Sequence, residues 1–65
     1  MKKGDYVMTP RFCTVQITEV YTNSFAAKEA GYTEPTHYMN EEWDIRGKSL
    51  GVNRMQFAAI RKESR

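Results

Sequence analysis

The chain reads as a small α+β domain, a mostly antiparallel sheet or SH3-like barrel with one short helix, in the order β-β-α-β-β-β. Three observations carry that expectation. Cys13, Val15 and Ile17 alternate with Thr14, Gln16 and Thr18, the period-2 pattern of a half-buried strand. Asn23 to Gly31 holds the one convincing helical run, with a capping residue before it and a glycine after it. The other apolar residues fall in short runs separated by glycine, proline and asparagine, which suits short strands. At 65 residues the chain forms one domain, with a polar tail from about residue 62, and buries only about 60% of the surface its unfolded form exposes.

Tyr6-Val7-Met8 opens the sheet and Thr9-Pro10 ends it, because proline removes a ladder donor and holds Thr9 extended. The strand from Phe12 to Tyr21 follows. Its apolar phase changes at Val20, an even position, so a bulge or bend is expected near Thr18-Glu19. Asn23-Ser24 caps the helix Phe25–Ala30, with Ala26 and Ala30 on one face and Phe25 beside them. Gly31 supplies the left-handed residue of a Schellman ending, with Tyr32 packing back on Ala27. So short a helix needs a sheet to lean on. Thr36–Met39 and Trp43–Arg46 read as two strands joined around Asn40-Glu41-Glu42. A further turn is expected between Gly47 and Asn53, and Met55–Ile60 is the last strand, apolar on both faces. Such a strand is either central or an edge that pairs with another chain. The expected core is Val7, Cys13, Val15, Ile17, Val20, Phe25, Ala26, Tyr38, Trp43, Ile45, Leu50, Phe57 and Ala59.

Composition excludes several classes. Hydrophobic residues are 40% and charged residues 28%, too apolar for disorder. The longest apolar run, Phe57-Ala58-Ala59-Ile60, is far too short for a membrane span or a secretion signal, so no membrane partner is expected. A single cysteine, Cys13, excludes an internal disulfide framework and suits a reducing, cytoplasmic setting. The net charge of +2 hides a segregation: residues 1–17 sum to +2, residues 18–45 to −5 and residues 46–65 to +5. Either these charges pair across strands, or they form a dipolar surface with separate acidic and basic faces.

No constellation points to catalysis. Cys13 and His37 are the only nucleophile–base candidates; Cys13 falls on the apolar phase of its strand and His37 in a polar segment. With one histidine, the acidic residues Glu34, Glu41, Glu42 and Asp44 make neither a zinc site nor a calcium loop, and no glycine-rich loop cradles a phosphate. Neither a metal nor a cofactor is expected. Tyr32, Tyr38, Met39, Trp43 and Arg46 cluster around a glutamate-rich segment and are of the types enriched at interfaces, so a protein partner is the favoured expectation. The same tyrosine and tryptophan could equally cover the core. A homodimer through an edge strand is a second possibility. The alternative is an SH3-like nucleic-acid-binding module using Arg46, Lys48, Arg54, Arg61 and Lys62. Against it, the aromatics lie mostly in the acidic middle, where phosphates are repelled.

The segments Gly4 to Val15 (GDYVMTPRFCTV), Ala30 to Thr36 (AGYTEPT) and Phe57 to Ile60 (FAAI) resemble short proteins of mobile genetic elements in Gram-positive gut bacteria. Those proteins are similar to the large-polyvalent-protein-associated domains. The resemblance implies an accessory protein of a conjugative element or phage that acts by binding on host or defence machinery. It carries over no catalytic or ligand-binding residue.

Overall fold

A computed structural model describes residues 1–62. The elements are β1 (Tyr6–Thr9), β2 (Cys13–Tyr21), α1 (Ser24–Glu29), β3 (Glu34–Pro35), β4 (Trp43–Gly51) and β5 (Arg54–Arg61). They form one five-stranded sheet in the order β1-β2-β5-β4-β3. β1 pairs with β2, β4 with β5, and β3 with β4, all antiparallel, whereas β2 and β5 run parallel. The fold is thus α+β with a mixed, mostly antiparallel sheet. The sheet curls into a half-barrel whose outer strands come together at Arg11. Its backbone N–H donates to Thr36 O, and its guanidinium reaches Glu34 at 2.7 Å and Pro35 O at 2.9 Å.

The bulge expected near Thr18-Glu19 is present: the β2–β5 register shifts between Ile17 and Glu19, with Thr18 Oγ1 donating to Phe57 O. That extra residue keeps Ile17 and Val20 on the same side of the sheet. The main core gathers there, with Val15, Ile17, Ile45 and Ala59 buried and Val7, Phe12, Val20, Tyr38, Trp43 and Phe57 half-buried around them. Gly47 on β4 makes room for this layer; a Cβ there would lie 2.7 Å from Met55 Cε and 3.2 Å from the Phe57 ring. A second cluster of Ala27, Tyr32, Ala58 and Ile60 lies on the opposite face, where the helix packs. β5 is therefore central, and its apolar residues serve both layers: Phe57 and Ala59 on one side, Ala58 and Ile60 on the other.

The helix is bounded as its sequence dictates. Asn23 Oδ1 accepts from Ala26 N–H at 2.7 Å. At the other end Tyr32 N–H donates to Ala27 O and Gly31 N–H to Lys28 O, with Gly31 at φ 100°, which is the Schellman geometry.

Several expectations are corrected. Cys13 is exposed rather than in the core, because its φ of 60° at the end of the β1–β2 turn rotates the side chain out of the strand's alternation. Phe25 is 71% exposed. Ala27 faces the sheet, and two helical positions away is about 200° around the axis. Leu50, 42% exposed, lies beside the β4–β5 turn beyond the core layers. Thr36–Met39 is not a strand. The pairing falls two residues earlier, at Glu34–Pro35, because the Thr36 hydroxyl is buried on Ile45 O and His37 takes a φ of 61°. Asn40 makes no hairpin turn; its Oδ1 accepts from Glu42 and Trp43 N–H and leads the chain into β4. β4 runs on to Gly51, so the last turn shrinks to Val52-Asn53, with Asn53 at φ 59°. Beyond Lys62, the expected polar tail lies outside the described residues.

Candidate functional site

A cleft lies between α1 and β4 on the helix-bearing face. The small Ala27 packs on Ala58 and Ile60 and draws the helix close to the sheet. Phe25 and Lys28, one turn apart, then stand along the helix side of the cleft. On β4, Trp43, Ile45 and Gly47 belong to the main core layer, so strand alternation turns Asp44, Arg46 and Lys48 toward the helix. The result is a cleft of about 460 Å³ lined by Ser24, Phe25, Lys28, Tyr32, Thr33, Arg46 and Ile60. A second recess shares Ser24, Arg46 and Ile60 and adds Asp44, Arg61 and Lys62.

Its floor is apolar and its walls are cationic. Ile60 is only 3% exposed. Tyr32 is buried as well; its hydroxyl donates to Gln56 Oε1 at 3.3 Å, and Lys48 Nζ lies 5.6 Å from its ring centroid. Behind it, Tyr21 stacks at 5.8 Å, tilted. Burial raises the Tyr21 phenol above its ordinary pKa, with repulsion from Tyr32 and Glu19 adding to the shift. Arg46 spends its Nε on Asp44 Oδ2 at 2.7 Å, and its two terminal amino groups make no hydrogen bond among the described residues. The arrangement has the charge and apolar surface to accommodate an anionic group beside an apolar side chain.

Of the residues picked out for protein binding, the structure brings only Tyr32 and Arg46 together here. Tyr38 and Trp43 pack half-buried on the main core across the sheet, and Met39 is exposed on the loop before β4. Of the basic residues picked out for nucleic acid, Arg46 and Lys48 flank the cleft. Arg61 lies 5.4 Å over the Trp43 ring, Lys62 Nζ donates to Asn40 O, and Arg54 starts β5 at its opposite end, about 20 Å away. Phe25 and Lys28 carry the helix wall yet were not read as site residues from the sequence. The signal was there: a Schellman ending that seats Ala27 inward forces Phe25 outward.

Three ion pairs cross the charge segregation. Lys3–Glu19 at 3.6 Å, Arg11–Glu34 and Arg46–Asp44 each join a basic flank to the acidic middle of the chain. Cys13 and His37 are both exposed and line neither the cleft nor its adjoining recess. Among the described residues no group of three or more histidine, cysteine or acidic side chains is placed to hold a metal ion, and no helix is long and apolar enough to cross a membrane. Comparison with protein-family models, curated proteins and solved structures finds no match to this chain.

Proposed function

We propose that the chain is a small non-enzymatic binding protein that engages a protein partner through the cleft between α1 and β4. Its setting is an accessory of a mobile element, acting in the cytoplasm by modulating a host or defence protein. One observation carries the binding reading: Phe25, 71% exposed, stands over a buried apolar floor between cations on two elements. A large aromatic held in the open beside arginine has the composition of an interface anchor. The setting rests on the resemblance of the GDYVMTPRFCTV, AGYTEPT and FAAI segments alone.

The test is cross-linked capture from bacterial cells, with and without nuclease, using the wild type and Phe25→Ala. The expected result is a protein captured in both nuclease conditions and lost with Phe25→Ala. Undiminished capture by a folded Phe25→Ala variant overturns the reading.

A nucleic-acid-binding module remains the second reading, favoured by one feature: Arg46, Lys48 and Lys62 lie on or beside the same cleft. It requires DNA or RNA affinity that falls steeply with salt. A homodimer would use β1, an uncharged edge strand on which Tyr6 is 68% and Met8 73% exposed.

A further inference from the structure

We infer that the α1–β4 cleft recognises an extended acidic segment in which carboxylates flank one bulky apolar side chain. The inference rests on the protein-binding reading and names the chemistry of the partner.

The order of groups along the cleft sets that chemistry. Ser24, Arg46 and Ile60 line both recesses and so mark the middle. Lys28 stands at one end and Lys62 at the other, whereas the Arg61 guanidinium lies over the Trp43 ring on the opposite face. The apolar station lies between the ends, with Ile60 on the floor and Phe25 on the helix wall toward Lys28, and it suits a phenylalanine or leucine side chain. The ends are the anionic stations. Three cations, Lys28, Arg46 and Lys62, face one carboxylate, Asp44, and that carboxylate is already held by Arg46 Nε. A segment with carboxylates on both sides of an apolar residue matches this sequence of sites, whereas a basic segment meets repulsion at both ends.

A nucleic-acid strand fits less well. Its phosphates need a track of cations, but Arg54 sits at the far end of β5 and the cleft is short. Successive bases need a series of exposed flat rings, yet the cleft presents one, Phe25, because Tyr32 is buried.

The test uses the full chain, isotope-labelled for amide NMR. The probes are the peptide Gly-Asp-Glu-Phe-Glu-Asp-Gly, the same peptide with glycine for phenylalanine, its Lys-Lys-Phe-Lys-Lys counterpart, and a short oligothymidylate. The expected result is that the first peptide shifts the amides of Phe25, Lys28, Arg46 and Ile60. Loss of its phenylalanine should weaken binding about tenfold or more, the low end of what burying that ring contributes. Lys28→Glu and Phe25→Ala, both at exposed positions, should each weaken it while leaving the remaining spectrum in place. Equal binding of the basic peptide, shifts that map elsewhere, tighter binding of the oligonucleotide at these amides, or no shifts at all each overturn the inference. If the probes fail while Phe25→Ala still abolishes capture of a cellular protein, the acidic-segment chemistry falls and the protein-binding reading stands.

Discussion

At Cys13 a single backbone angle overrides a side-chain pattern. The residue continues the alternation of Val15 and Ile17, yet its φ of 60° sends the thiol to solvent. Alternation records which way successive side chains point only while the backbone stays extended, and nothing in the cysteine itself announces the turn. Asn53, also left-handed, is more legible, since asparagine tolerates that region. The strain at Cys13 makes a prediction. Cys13→Asn should leave stability within about 0.5 kcal/mol of wild type, while the β-branched Cys13→Val should lose about 1–3 kcal/mol. Chemical denaturation measures both, and equal stability for the two variants would contradict the turn geometry. Phe25 gives the complementary lesson. Its hydrophobicity argued for burial, but the helix is too short to bury two opposite faces.

Among the elements, α1 was the most legible because its signals are local. Asn23, Gly31 and Tyr32 specify both ends within ten positions of sequence, and the hydrogen bonds sit where those residues require. Gly31→Ala should therefore cost about 1 kcal/mol, since φ 100° excludes a side chain at little strain. The new Cβ would also approach Lys48 Cε at 3.2 Å, a chain end that can move aside. Thermal melts of Gly31→Ala and of an exposed control, Glu29→Ala, separate the left-handed requirement from simple helix propensity. An equal loss in both would remove the Schellman account. The pairing of β3 was less legible. Pro35 looks like a strand breaker, but on an edge strand its missing N–H is no loss, so the ladder includes it. Thr36 then leaves the ladder to hydrogen-bond Ile45 O through its side chain, an interaction that periodicity does not encode.

For the whole molecule, the parallel seam between β2 and β5 was the hidden feature. Periodicity shows which residues face a core, but which strands become neighbours depends on distant segments meeting. The doubly apolar β5 pointed to a central strand, and its two layers explain why both of its faces are hydrophobic. Arg11 draws the two outer ends of this sheet together. Its exposed ion pair contributes little to stability, no more than about 1 kcal/mol, yet it spans the gap. Arg11→Ala should accordingly leave the melting temperature nearly unchanged while amide hydrogen exchange rises across residues 34–36. Unaltered exchange there would show that the half-barrel holds its shape without the arginine. The seam also has a thermodynamic consequence. Thr18 and Phe57 lie 39 residues apart in sequence, and closing a loop of that length costs about 3 kcal/mol beyond a constant. The cleft draws one wall from α1 and the other from β4, both inside that loop, with its floor on β5 at the loop's closure. The cleft therefore exists only when the chain has closed, and a ligand of the proposed kind would select the folded ensemble. Occupancy would add directly to the folding free energy, growing with the logarithm of ligand concentration, so on the proposed reading a domain with so small a core gains stability from its partner.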